Sequence, residues 1–262
     1  MPLKLMYITN SEDVAHIAEE AGVDRIFVDM EYIGKTDRQG GMDTVQSRHT
    51  ADDVRRLAQC LNKAELFVRV NPIHEKTDEY NSSKEEIDEA IEAGADLLML
   101  PYFKTAEEVQ TFVKYVNGRA KTVLLVETPE AAAIAEDLVQ IPGIDEMFIG
   151  LNDLSLGYGK NFMFELLLDG TVEELCLKFR KGGIPYGFGG IASLGKGMLP
   201  SEYVIKEHYR LGSACAILSR SFCRTGQVTD LKEIQKIFEI ELPKIRELEE
   251  ECRVHSEYFW KN

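Results

Sequence analysis

No apolar run in this sequence approaches the roughly 20 residues that a membrane-spanning helix needs, so a helical membrane protein is excluded. The N-terminal stretch 1–14 has no basic flank leading into a small-residue cleavage site. No signal peptide is expected, and the cytoplasm is the expected compartment. The cysteines are few and scattered: Cys60, Cys176, Cys215, Cys223 and Cys252 are odd in number and form no CxxC pair. That pattern argues against a disulfide framework and against a zinc site. Basic residues are in deficit, 30 against 45 acidic ones, for a formal net charge of −15. A field of that sign repels nucleic acid and anionic membrane surfaces, so neither is an expected partner. It would also repel a carboxylate substrate unless the site were locally positive. No GxGxxG motif follows a strand and opens a helix. Gly187-Phe188-Gly189-Gly190 lacks the helix pattern and sits late in the chain, which weakens an open, doubly wound nucleotide-binding sheet as the architecture.

The chain instead alternates short apolar strands with capped amphipathic helices. Strands are expected at 3–9, 25–29, 66–70, 97–100, 122–126, 146–149, 184–187 and 214–218. Their continuous apolar runs suit parallel strands covered on both faces. Ser83, Thr105 and Thr171 precede Glu86, Glu108 and Glu174 at the spacing of a capping box. Thr128-Pro129 joins a cap to a proline at the first helical position. Thr50 and Ser11 also read as caps with acidic first turns. Ala21-Gly22, Ala93-Gly94 and Leu211-Gly212 mark helix ends. Eight such alternations in 262 residues predict one (β/α)₈ TIM barrel domain, 1–262. A charged helical extension is expected over about 229–262, ending in Tyr258-Phe259-Trp260. Those aromatics would pack either on another subunit, giving a homo-oligomer, or on their own chain.

Such barrels place their active sites at the C-terminal ends of the strands. Polar residues that close apolar strands are therefore candidates: Asp29, Glu31, Arg69, Asn71, Glu127, Asn152 and Asp153. Glu127 and Asp153 close neighbouring strands five and six. Two carboxylates in a dry concavity repel, and one protonates unless a cation joins them. Mg²⁺ or Mn²⁺ would resolve the repulsion; a helix cap or a lysine partner is the structural alternative. Arg69 ends a buried strand, where a guanidinium is costly unless it meets an anion. That anion is either a substrate or an internal partner, Asp29 or Glu31.

The segments Val28-Asp29-Met30-Glu31, Val68-Arg69-Val70-Asn71, Met99-Leu100-Pro101-Tyr102, Val126-Glu127-Thr128-Pro129-Glu130 and Ile149-Gly150-Leu151-Asn152-Asp153-Leu154-Ser155 resemble the HpcH/HpaI aldolase and citrate lyase β-subunit family. These are metal-dependent pyruvate aldolases and related lyases. The resemblance covers roughly residues 20–160, and its Glu-Thr-Pro and Gly-x-x-Asp-Leu-Ser elements are the specific ones. It implies that Glu127 and Asp153 bind the metal and that the metal chelates the keto oxygen and carboxylate of a 2-keto acid. It also implies that Arg69 stabilises the enolate at that oxygen. The backbone of Gly150, Leu151, Asn152 and Asp153 would hold the substrate carboxylate.

Two positions depart from the family pattern. The aldolases carry a histidine after the Asp-x-Glu element, paired with the aspartate as an acid/base dyad; here Tyr32 stands there. A tyrosine of ordinary pKa, near 10, is a poor base at neutral pH, although it can donate a hydrogen bond. A polar residue often precedes the metal glutamate by two positions; here it is Leu125. A long polar loop, 34–49, follows Tyr32 and supplies Lys35, Arg38, Arg48 and His49. Long loops at this end are often functional. His49 is thus either a replacement acid/base or a surface residue before a helix cap. His74 is a weaker alternative, and His16, His208 and His255 fall on helical patterns.

The expected activity is a class II-type aldolase acting on a 2-keto acid, with a sugar-derived acid included. A citrate-lyase-like enzyme acting on an acyl-CoA or ester is the second expectation. A metal-binding barrel without catalysis is the third.

Overall fold

The computed structural model describes residues 1–35, 47–225 and 227–254. Arg38 and most of the 34–49 loop, His255 and the Tyr258–Trp260 aromatics lie outside the described residues. Eight parallel strands close into a barrel in chain order. They are β1 (Lys4–Ile8), β2 (Arg25–Asp29), β3 (Glu65–Arg69), β4 (Leu97–Leu100), β5 (Lys121–Val126), β6 (Glu146–Ile149), β7 (Tyr186–Ile191) and β8 (Cys215–Leu218). The helices between and after them are α1 (Glu12–Glu20), α2 (Ala51–Cys60), α3 (Ser83–Glu92), α4 (Ala106–Val116), α5 (Pro129–Ala133), α6 (Ala135–Leu138), α7 (Leu151–Gly157), α8 (Glu165–Leu168), α9 (Thr171–Lys181), α10 (Ser201–Leu211) and α11 (Leu231–Val254). Among the described residues, no helix is long and apolar enough to cross a membrane.

The strands alternate between two apolar environments. Met6, Phe27, Phe67, Leu97, Val123 and Phe148 fill the barrel interior. Residues on either side of them in sequence, such as Ile26, Val28, Leu66 and Val68, join the larger core beneath the helices. Side chains two residues apart face the same way along a strand. Arg25-Phe27-Asp29 and Glu65-Phe67-Arg69 therefore carry charge to both ends of an apolar plug.

At the N-terminal end the charges satisfy one another. Arg25 Nη1 and Nη2 donate to Glu146 at 2.7 and 2.9 Å, and its Nε donates to Glu65 at 3.0 Å. Cys215 Sγ donates to Glu146 at 3.0 Å. At the C-terminal end the same periodicity delivers Asp29 and Arg69 side by side, since they are register partners across β2 and β3.

Most helix signals hold. Thr50 caps α2 and Thr105 caps α4, each in a full capping box, while Thr128 and Ser11 cap α5 and α1. Two do not. Ser82, with Glu85, caps α3 in place of Ser83 and Glu86. Ser83 is left to pair with His74, and Glu86 turns inward to Asn71. Helix α9 begins after Gly170, whose φ of 87° no threonine would adopt cheaply, so Thr171 is the first helical residue and not the cap. β7 also differs from expectation, running to Ile191 where 184–187 was predicted. It passes through the glycine run with a register irregularity against β8. A Cβ at Gly187 would lie 2.3 Å from the Cys215 carbonyl oxygen, so only glycine allows this strand to close on β8.

Candidate active site

Arg69 grips Asp29 with two parallel hydrogen bonds, Nε to Oδ1 and Nη2 to Oδ2, both 2.8 Å. Its third nitrogen, Nη1, lies 3.4 Å from Glu31 Oε2. Lys35, from the start of the long loop, folds back into the same group. Its Nζ is 2.7 Å from Asp29 Oδ2 and 3.5 Å from Glu31 Oε2. Asp29, Glu31 and Lys35 are all buried. Burial alone would raise the Asp29 pKa, but the Arg69 guanidinium and the Lys35 ammonium outweigh it and hold the carboxyl far below the usual range. The internal partner anticipated for Arg69 is therefore present, and it is both acids at once.

Glu127 follows the last residue of β5, where Thr128 turns the chain into α5. Its Oε1 accepts the Tyr102 backbone N–H at 2.9 Å. Tyr102 takes a left-handed φ of 47° to aim that N–H, a conformation that costs a non-glycine residue on the order of 1 kcal/mol or more. On the other side, a Cβ at Gly150 would sit 2.7 Å from Glu127 Cβ and 3.0 Å from its Oε2. Asp153 stands in the first turn of α7, where Asn152 Nδ2 donates to its Oδ1 at 3.3 Å. Glu127 and Asp153 line one cavity of about 350 Å³, together with Tyr102, Lys104 and Leu156.

The Glu127 carboxyl is pushed well above the ordinary range. Burial is the main cause; Glu31 and Asp153 add repulsion, and Arg69 offsets part of it. Asp29 and Glu31 are paired with Arg69 and Lys35, while the buried Glu127 meets the repulsion of Glu31 and Asp153. An oxygen-ligating divalent ion held by Glu127 and Asp153 would offset that repulsion. The donor set fits such an ion.

His49 does not sit idly at the surface before the Thr50 cap. Its half-buried ring accepts the Asp29 backbone N–H at Nδ1, 3.0 Å away. Burial lowers its pKa below the usual value, so the ring is neutral at pH 7 and carries its proton on Nε2. Tyr32 is placed differently. Its ring is 53% exposed and meets Tyr80 edge-on at 6.5 Å. Burial and nearby Glu86 and Tyr80 raise its pKa, which moves it further from service as a base. His74 points its ring nitrogens at the Pro72 and Asn81 carbonyls, 2.6 and 2.9 Å away.

The residues that hold this end of β2 were only partly foreseen. Asn71 Oδ1 accepts the N–H groups of Tyr32 and Ile33, each at 2.9 Å, and its Nδ2 donates to Glu86 at 2.8 Å. The inward role of Lys35 had one available signal: an i, i+4 pairing with Glu31 and an i, i+6 spacing from Asp29 in a tight turn.

Other concave or acidic places lie elsewhere. A larger hollow of about 430 Å³ is lined by Asp96, Lys121, Thr122 and Asp145 at the N-terminal ends of β4 to β6, the end that barrels do not use for catalysis. Among the described residues, His16, Glu19 and Glu20 bring their ligand atoms within 4.8 Å of one another. Glu19 Oε1, however, already accepts three backbone N–H groups from 62–64 at that same end.

A profile of the HpcH/HpaI aldolase/citrate lyase family matches residues 4–166. The fold is similar to that of an HpcH/HpaI aldolase/citrate lyase family protein from Burkholderia cenocepacia J2315, with 16% identity, 89% of this chain and 95% of that chain covered, and a TM-score of 0.66. It is similar also to the HpcH/HpaI aldolase from Desulfitobacterium hafniense DCB-2, with 15% identity, 89% and 93% coverage, and a TM-score of 0.64. Macrophomate synthase aligns at 15% identity, 90% and 85% coverage, and a TM-score of 0.57. At such identities these likenesses speak for the fold alone. A comparison with curated proteins finds no match. The match of the family profile over more than half of the sequence carries the assignment: the chain belongs to the HpcH/HpaI aldolase/citrate lyase family, a family of aldolases and lyases.

Proposed function

We propose that this barrel is a divalent-metal-dependent lyase that makes or breaks a carbon–carbon bond beside a 2-keto acid, through a pyruvate-type enolate. The observation that carries this is the buried Glu127 carboxyl, set against the repulsion of Glu31 and Asp153 in a cavity it shares with Asp153. Glu127 and Asp153 would hold Mg²⁺ or Mn²⁺. When bound, the ion would act as a Lewis acid on the keto oxygen.

The remaining work falls to the chain. Arg69 keeps its charge at any working pH, and its two bonds to Asp29 fix the plane of the guanidinium. A fixed cation aimed where negative charge develops favours the enolate over the keto form. Lys35 shares Asp29 and Glu31 with it and limits the repulsion among the acids. The Tyr102 N–H and the bare Cα of Gly150 set the position of Glu127. The first turn of α7 has backbone N–H groups with no intrahelical acceptor at Leu151, Asn152 and Asp153, suited to a substrate carboxylate. For the proton step His49 is the candidate, a neutral imidazole fixed through Nδ1; Tyr32 could serve only as a hydrogen-bond donor. The acceptor is an aldehyde or related carbonyl compound, with sugar-derived acids among the products.

Exchange of pyruvate C3 protons into D₂O, followed by NMR with Mg²⁺ or Mn²⁺, tests this. Metal-dependent exchange that falls at least a hundredfold in Glu127→Gln is expected, in line with losing about 3 kcal/mol of transition-state stabilisation. No exchange at saturating metal and pyruvate would overturn the enolate mechanism.

A further inference from the structure

The mouth of the barrel is not uniformly acidic. The chain has 45 acidic residues, yet the stretches that follow β7 (192–200) and β8 (219–225) contain none. They contain Lys196, Arg220 and Arg224 instead, all exposed. The two stretches are tied together. Ser193 Oγ donates to the Phe222 carbonyl at 3.1 Å, and Ser201 Oγ donates to the Ser193 carbonyl at 3.0 Å. The Gly195 N–H donates to Glu202 at 2.8 Å, which fixes the glycine-rich bend around Lys196.

This basic sector adjoins the acidic one. A Cβ at Gly189, near the end of β7, would meet the Leu151 side chain at 2.7 Å. The end of β7 therefore packs on the first turn of α7, which carries Asp153. A substrate held at Glu127 and Asp153 and extending toward the end of β7 meets these basic loops. With a net charge of −15, the protein repels a free dianion until it reaches such a patch. Loops after the seventh and eighth strands are also where (β/α)₈ barrels commonly hold phosphate. Guanidinium and ammonium groups match phosphoryl oxygens in charge, and a guanidinium can bond two of them at once.

We propose that the loops after β7 and β8 bind the phosphoryl group of a phosphorylated substrate, at its end remote from the keto acid, through Lys196, Arg220 and Arg224. The substrate assignment rests on the function proposed above; the phosphoryl site itself does not. The phosphoryl group comes from a phosphomonoester or from the diphosphate of a coenzyme A thioester, and the two sources separate by experiment.

The test is calorimetric titration of the full-length protein, in Mg²⁺, with glycerol 3-phosphate, with glycerol and with coenzyme A. Glycerol 3-phosphate binds and glycerol does not. Lys196→Ala and Arg224→Ala each weaken that binding roughly tenfold or more, the value of one charge-assisted bond. Lys181→Ala, an exposed lysine closing α9, leaves it unchanged. Coenzyme A that displaces glycerol 3-phosphate supports the site and names the diphosphate as a second source. No binding of glycerol 3-phosphate, or equal binding by wild type and the Lys196 and Arg224 variants, overturns the proposal. Because no turnover is involved, loss of pyruvate exchange would sink the function proposed above and leave this site standing, and the converse also holds.

Discussion

A methyl group at Gly150 would press on Glu127 from 2.7 Å, against a carboxylate already held from the other side by the Tyr102 N–H. Gly150→Ala should displace Glu127 at a cost of roughly 1–3 kcal/mol in stability. It should weaken metal binding by more than that stability loss explains. Paired thermal melts with and without Mn²⁺ would show it as a smaller metal-induced rise in Tm. A second residue sets an acid limit. His208 is buried, stacks on Phe188 at 3.8 Å, and shares a hydrogen bond between Nδ1 and Ser213. Among the described residues its Nε2 has no hydrogen-bond partner. Burial pushes its pKa from 6.5 down to about 3, so the folded ring stays neutral where the unfolded one takes up a proton. Stability from this group is complete above pH 6.5 and is lost as pH falls toward 3. Between pH 7 and 5 the loss should be about 2 kcal/mol. Denaturant titrations of wild type and His208→Gln at both pH values should show the steeper decline only in the wild type.

At the scale of single elements, the helix caps give a clean contrast. Thr105 accepts the Glu108 N–H and Glu108 reaches back to the cap in turn. Thr171 does neither. Thr105→Ala should cost about 1 kcal/mol, and Thr171→Ala only a few tenths; equilibrium unfolding in urea distinguishes them. Both threonines have Glu three residues on, so the spacing could not tell them apart. What separates them is Gly170, whose left-handed backbone starts α9 one residue earlier. The same limit applies at Ser82 and Ser83, two adjacent hydroxyls of which only one faces the α3 backbone. β7 was misread for a related reason: glycines look like a loop in sequence but are what lets that strand approach Cys215.

The whole barrel was legible from the alternation of strand and helix because each strand carries enough apolar residues to be covered on both faces. Glu127, just after β5, and Asp153, in the first turn of α7 beyond β6, were singled out by the rule that active sites lie at strand C-termini, and both line one cavity. Less visible was the partnership of Lys35 with Asp29 and Glu31, which depends on how a loop folds back and not on any strand period. The inward rows Arg25-Phe27-Asp29 and Glu65-Phe67-Arg69 were hidden inside runs that read as continuously apolar. They give the molecule a closed ion cluster at one end and, at the other, an ion cluster beside the buried, mutually repelling Glu127 and Asp153. That asymmetry underlies the functional proposal, and stoichiometric metal titration tests it most directly. The account predicts one Mg²⁺ or Mn²⁺ per chain, with affinity reduced at least tenfold in Glu127→Gln and in Asp153→Asn and unchanged in Glu20→Gln on α1. Binding that survives both of the first two substitutions, or that vanishes with Glu20→Gln, would contradict it.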